Sequence, residues 1–274
     1  MRRLLTTLAA LLIAAVAVAE DSDNKVIMKA VKSNMNFTEV SVGAAIKLYI
    51  EDRTEGNIII RATERIMPDI TLTVKDGELT ISYNKELQFK SNLSYPIAEV
   101  YMPTNGRIDS FTAVAAASID VAPKVVVKEL DIEAVGASRI NISAVADSVD
   151  IEAIGASNVT LDAECASVDC ESTGASTVTL KGKATKADIE IIGASTFKGG
   201  DMECSQLDAE VGGASKATLS AQMANLEVYG ASSVAIDCAL QLNASASGAS
   251  SIRYEGDCQI NIKNSSGASS IKKQ

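Results

Sequence analysis

The tripeptide Gly-Ala-Ser recurs at Gly136, Gly155, Gly174, Gly193, Gly213, Gly230, Gly248 and Gly267, at intervals of 19, 19, 19, 20, 17, 18 and 19 residues. A weaker copy, Ala116-Ala117-Ser118, lies 20 residues before the first. A short, near-constant period constrains a fold strongly, because one such unit cannot bury its apolar face alone and must stack on its neighbours. The residues around each copy give the unit. Before the tripeptide, "LDIEAV", "VDIEAI" and "ADIEII" alternate apolar with charged. After it, "RINIS", "NVTLD" and "TVTLK" alternate again. Period-two alternation over short runs marks half-buried strands. A repeat of this length cannot hold a strand, a helix and a second strand. It can hold strand, corner, strand and turn. The sequence therefore predicts an all-β parallel β-solenoid of about eight coils over residues 111–274, with adjacent coils about 4.8 Å apart and a rod on the order of 40 Å long.

In this arrangement the eight glycines are structural corners. Glycine serves where the backbone needs a positive φ or has no room for Cβ. The serine can bond the corner backbone or the serine one coil away. Reading the serines instead as nucleophiles requires a base beside each one, and the chain contains no His. That absence also removes Cys-His pairs and His metal ligands. No catalytic, cofactor-binding or metal-binding residue is assigned.

Stacked coils turn repeated positions into rows. Asp131, Asp150, Asp169, Asp188 and Asp208, then Asn225 and Asn243, form one row, and Glu133, Glu152, Glu171, Glu190, Glu210 and Glu227 form a second. The strand after the corner presents Arg139, Asn158, Thr177, Thr196 and Lys216, a neutral to weakly basic face. Like charges about 5 Å apart repel by about 1 kcal/mol per pair even in water. The acidic rows could hold Ca²⁺, could meet a basic partner, or could be a solvated face that keeps the sheet soluble. The change to Asn at Asn225 and Asn243 favours the solvated face. A net charge of −10 without a basic face argues against nucleic acid as a partner.

The five cysteines are Cys165, Cys170, Cys204, Cys238 and Cys258. Cys165, Cys204 and Cys258 each stand nine residues before a corner glycine, where other coils have Ala146, Ala184 and Ala221, so this position reads as a tight interior slot. Cys238 and Cys258 fall in adjacent coils and are the pair placed to form a disulfide if the chain is exported. Export is predicted by residues 1–19: Arg2 and Arg3, an apolar run from Leu4 to Val16, and the Ala17-Val18-Ala19 cleavage site. A membrane anchor is the alternative, although the apolar run is shorter than the ~20 residues of a span. No other segment is apolar enough to span a bilayer, and periplasm, outer-membrane surface and extracellular space all remain open.

Residues 24–110 lack the period. "ITLTV", "KDGE" and "LTISYN" predict a hairpin turning at Asp76-Gly77. "AEVYMP" is a further strand, and the whole block reads as a β region capping the first coil. At the other end, Lys263, Lys272 and Lys273 read as guards against edge-to-edge pairing, which predicts a monomer.

The segments "NFTEVSVGAAIKLYIE", "ITLTVKDGELTISYN" and "AEVYMP", followed by reiterated Gly-Ala-Ser, together resemble the bacterial autotransporter-adhesin head domain, or head GIN domain, family. The resemblance implies an exported all-β protein with a right-handed β-helical part and an adhesive role, and it carries over no catalytic residue. Three functions compete: an exported adhesin or binding scaffold for a surface glycan or protein, a carbohydrate-active lyase or glycosidase on a β-helix, and a Ca²⁺-binding surface repeat. An enzyme of the second kind needs a cleft walled by long insertions at the turns. Intervals of 17 to 20 residues leave none in the repeat.

Overall fold

Each corner glycine has a positive φ, from +72° at Gly267 to +97° at Gly193. Neighbouring corners lie close against one another. The Ala175 amide donates to the Gly155 carbonyl at 2.6 Å, and the Ala194 amide to the Gly174 carbonyl at 2.7 Å. That carbonyl sits where a side chain would go: a Cβ on Gly174 would lie 2.5 Å from the Gly155 oxygen. Conformation and space thus demand glycine independently at the same site.

The computed structural model describes residues 25–32, 35–84 and 98–274. The leader read in residues 1–19 lies outside the described residues. The chain forms a parallel β-solenoid of about nine turns among them. Coils stack in register, so that positions equidistant from the glycine become neighbours: Leu130 pairs with Val149, Asp131 with Asp150, Ile132 with Ile151 and Glu133 with Glu152. Strands turn the far corner without a break, as in the 17-residue strand Arg139–Gly155. Leu130, Ile132 and Ala134 from the sheet before the corner, and Ile140, Ile142 and Ala144 from the sheet after it, are buried. Each large aliphatic side chain so buried contributes about 1.5–3 kcal/mol.

The uneven intervals are absorbed by irregularities in pairing. The 20-residue coil from Gly193 to Gly213 takes its extra residue at a register shift opposite Thr179 to Lys181. Gly199 and Gly200 lie on that stretch, and a Cβ on Gly199 would lie 2.5 Å from the Phe197 ring. The 17-residue coil that follows is accommodated by a shift between Lys198 and Gln206. The weak copy of the repeat is displaced by one residue from its reading in the sequence. Val135 pairs with Val114 and Arg139 with Ser118, so Ala115, not Ala116, occupies the glycine position. Ala115 and Ala116 both take positive φ, +55° and +68°, a strained choice for alanine at an exposed corner. It is held by backbone bonds to the rungs on either side, from the Ala115 amide to the Val135 carbonyl and from the Ala45 amide to the Ala115 carbonyl, both 3.1 Å.

The front block contains β1 (Val26–Val31), β2 (Glu39–Val42), β3 (Ile46–Glu51), β4 (Ile58–Thr63), β5 (Ile70–Lys75), β6 (Glu78–Tyr83) and β7 (Ala98–Pro103). They lead into β8 (Ser110–Val114) and β9 (Ser118–Val121). The block does more than cap. β2 pairs in parallel with β6 on one side and β8 on the other, while β3 does the same between β7 and β9. β2–β3 and β6–β7 are therefore two further rungs, with the corner Ala44-Ala45 at positive φ. The end is closed by antiparallel strands: β5 on β6, and β4 on β7 followed by β1 on β4. The β5–β6 hairpin turns at Asp76-Gly77, both at positive φ. No helix among the described residues is long and apolar enough to cross a membrane.

Candidate functional site

The corner serines form a column inside the rod. Ser138, Ser157, Ser176, Ser195, Ser215, Ser232 and Ser250 are all buried. The Ser176 hydroxyl donates to the Thr173 carbonyl at 2.9 Å and lies 3.2 Å from the Ser157 hydroxyl. The Ser195 and Ser250 hydroxyls likewise donate to the carbonyls of Ile192 and Val228 at 3.1 Å. Those of Ser138 and Ser215 are buried without a partner, and burial closes the whole column to a substrate.

The acidic rows lie on the outer face of the sheet before the corner, one Asp and one Glu per rung. Pairing runs from Asp131 through Asp150, Asp169 and Asp188 to Asp208 and Asn225. Burial, reinforced by Asp169 and Asp131 on either side, raises the Asp150 carboxyl above its ordinary value. The same causes raise Asp188, with Asp169 and Asp208 as neighbours, and Glu152 and Glu190 in the second row. Elsewhere opposite signs meet across the rungs. Lys183 bridges to Glu203 at 3.0 Å, Lys181 to Asp201 at 3.7 Å and Lys124 to Glu164 at 3.1 Å. Among the described residues, Asp131, Asp150, Asp169 and Asp188 take part in no such ion pair, so the row is a run of like charge.

Its end shows how the strain is relieved. The Asn225 amide donates to Asp208 at 2.6 Å, and the Asn243 amide to Asn225 at 2.7 Å. Asp169→Asn is expected to make the same bonds and to stabilise the chain by about 1 kcal/mol, read as a rise in melting temperature; an unchanged or lower value would show that the row carries no strain. A carboxyl whose folded pKa lies above its unfolded one costs stability when ionised. That cost is complete above the folded value and disappears below the unfolded value, 3.8 for Asp and 4.5 for Glu. These rows are therefore expected to raise the melting temperature as pH falls through their folded values towards 4.5 for the Glu row and 3.8 for the Asp row. Asp150→Asn with Asp188→Asn should flatten that rise; thermal melts in which the substituted and unmodified chains respond alike to pH would contradict it. No three His, Cys, Asp or Glu side chains among the described residues converge as a metal site.

The cysteine slot differs from its reading in the sequence. Ala146, Ala184, Cys204 and Ala221 are buried in it, but Cys165 is only half-buried. Cys258 is not in the column. Register shifts place Cys238 on Ala221, and Gly256 lies against the Cys238 carbonyl. Cys258 follows two residues later, half-buried. Both are free thiols, near enough that burial, then the charge and hydrogen bond of Cys258, push the Cys238 thiol up to about 11. Cys170 is fully enclosed and its thiol is raised by burial.

The opposite sheet carries a feature outside the repeat. Tyr101 of β7 and Tyr49 of β3 are paired and stack with ring centroids 5.0 Å apart and planes at 17°. Tyr101 donates to Glu99 at 3.0 Å, and Arg61 bonds the same Glu99 oxygen at 2.5 Å. The next rungs put Asp120 and then Asn141 at the same position, joined by an Asn141-to-Asp120 bond of 2.5 Å. The only sequence signal for this cluster is that two of the six tyrosines fall at outward positions of alternating strands.

These features define a non-globular class: a repeat-built parallel β-solenoid with packed interior and long, flat, polar faces. Within that class, the chain belongs to the family described as "Putative auto-transporter adhesin, head GIN domain", whose model matches residues 36–234. Among solved structures it is similar to a "putative adhesin" of Parabacteroides distasonis, with 17% identity, TM-score 0.70, and 92% of this chain and 98% of that one covered. It is also similar to a "putative adhesin" of Parabacteroides merdae, with 15% identity, TM-score 0.69 and coverage of 91% and 96%. A third similar structure, a "putative lipid binding protein" of P. distasonis, has 14% identity, TM-score 0.66 and coverage of 91% and 96%. A search of curated proteins found no match.

Proposed function

We propose that this protein is an exported, non-catalytic binding scaffold of the cell envelope or surface, which presents a sheet face to an envelope ligand. The observation that carries the reading is the continuous, in-register faces of the rod, bounded in the repeat by corners only a few residues long. A hydrolase or lyase would need a walled cleft and a singular pair of carboxylates, whereas the carboxylates of the repeat recur once per rung. Membership of an adhesin family supports the same reading. The interior is filled by aliphatic side chains from both sheets, so a lipid of the kind suggested by one neighbour's name would have to lie outside the rod. The test is to label the chain from Glu20 onward and measure its binding to intact bacteria and to isolated envelope fractions. Saturable binding is the expected result, and its absence from every fraction would remove the reading.

An exported location also bears on the thiol pair. The Cys238 and Cys258 sulfurs are proposed to join, each losing a proton, with the two electrons passing to an external disulfide oxidant. Intact mass of non-reduced protein is expected to be lower by two hydrogens, and Cys238→Ser should abolish the difference. Recovery of both as titratable thiols after export would count against the bridge.

A further inference from the structure

We infer that the step beside Tyr49 is a binding subsite for one neutral pyranose ring of a glycan, an assignment that rests on the binding-scaffold reading. The ring spacing of 5.0 Å matches the separation of neighbouring strands, so the two tyrosines stand up from the sheet and stack along the rod. Tyr101 covers one face of Tyr49. The other face looks along the rod over the rung of Asp120, a much shorter side chain. The drop from a ring to a carboxylate opens a shallow groove whose wall is Tyr49 and whose polar edge is Asp120, Asn141, Thr160 and Asp162.

A pyranose combines an apolar C–H face with a rim of hydroxyls. An aromatic face beside a carboxylate and an amide answers both halves, since the ring packs on the C–H face and the hydroxyls donate to carboxylate and amide oxygens. The wall is held before any ligand arrives, because Tyr101 is bonded to Glu99 and Arg61 secures the same carboxylate. The Asn141-to-Asp120 bond orients the carboxylate and leaves its second oxygen for the ligand. Preorganisation of this kind lowers the ordering cost of binding. Glu51 at the edge of the groove is bridged by Arg53 at 2.6 Å, but Asp120 and Asp162 line it with no lysine or arginine among the lining residues, so a uronate would meet repulsion and the sugar is neutral.

The experiment is saturation-transfer NMR and titration with neutral gluco-, galacto- and manno-hexaoses, an oligogalacturonate and a lysine-rich peptide. It compares the unmodified chain with Tyr49→Ala, Tyr49→Phe and Asp120→Asn, each shown by circular dichroism to keep its sheet. At least one neutral hexaose is expected to bind. Tyr49→Ala should weaken it by about tenfold or more, as loss of an aromatic anchor does, while Tyr49→Phe keeps most of the affinity and Asp120→Asn weakens it. If Tyr49→Ala fails to fold, Tyr49→Phe and Asp120→Asn still decide, because a merely structural Asp120 would leave affinity unchanged. Equal binding by the unmodified chain and Asp120→Asn, binding of the uronate or of the lysine peptide alone, or binding of no neutral sugar would each overturn the subsite. If the labelled chain still adheres to cells in those cases, the scaffold reading stands; if it adheres to nothing, both fall.

Discussion

Gly174→Val is expected to cost about 4 kcal/mol or more and to abolish a cooperative melt of the central coils. Two independent terms act at this residue. Its φ of +84° lies where a β-branched side chain is strongly disfavoured, a penalty of about 1–2 kcal/mol or more. The new Cβ would also lie 2.5 Å from the Gly155 carbonyl oxygen and 3.1 Å from its Cα. These are backbone atoms of a rung fixed on its far side by Gly136, so they cannot give way as a flexible side chain would. The contact is unavoidable because the same carbonyl accepts the Ala175 amide at 2.6 Å, and moving the rungs apart would break that bond. Thr177→Ala, three residues on, removes a half-exposed side chain and should change stability by less than about 0.5 kcal/mol. Thermal melts followed by circular dichroism, with trypsin susceptibility as a second probe, separate the two. Similar losses for both variants would mean that the corner can relax.

Phe197→Ala is expected to cost about 3–5 kcal/mol, the usual range for a fully buried aromatic. Phe197 is 1% exposed and fills the column Ile140, Val159, Val178, Phe197, Ala217 and Val234. The structure compensates for its size in the next rung and within its own strand. The next rung has the small Ala217 at this position. Gly199 leaves room for the ring, since a Cβ there would be 2.5 Å from it. Removing the ring leaves a hole lined by aliphatic side chains that are pinned by in-register pairing above and below, so the site cannot collapse. Phe197→Leu keeps most of the volume and should cost less than about 1.5 kcal/mol. Denaturant unfolding gives both numbers. A loss for Phe197→Ala no larger than for Phe197→Leu would show that the coil closes over the gap.

The repeat was legible because in a solenoid a tertiary contact is also a sequence period. Residue Asp150 touches Asp131 and Asp169 for the same reason that all three stand five places before a glycine, and the rows, the corners and the buried serines could be read in one dimension. Gly182 and Gly256 were not. Each has a positive φ, and a Cβ would fall 2.1 and 2.2 Å from the carbonyls of Ala163 and Cys238, but they belong to single coils and recur nowhere. Cys258 lies outside the cysteine column for a related reason. Counting back from a glycine holds only while every coil has the same length, and the shorter coils slip the far side of the rung.

Only the tertiary structure decided the front of the molecule. The pairing of β2 with β6 and β8, and of β3 with β7 and β9, joins segments whose separations follow no period, so nothing in the order of residues announces that β2–β3 lies between two later rungs. Packing settles it. β2 and β3 alternate buried and outward residues in phase with β8 and β9, and the antiparallel β5, β4 and β1 are left to close an end that a parallel rung would leave open. The same threading brings Tyr49 against Tyr101, and Asp120 against Tyr49. By itself the amino-acid order determined the rod, its corners and its charged rows, since these repeat the interactions of a residue with its own copies. The aromatic step at the end of the rod arises from contacts between unlike segments, and those are specified only by how the whole chain buries its apolar faces.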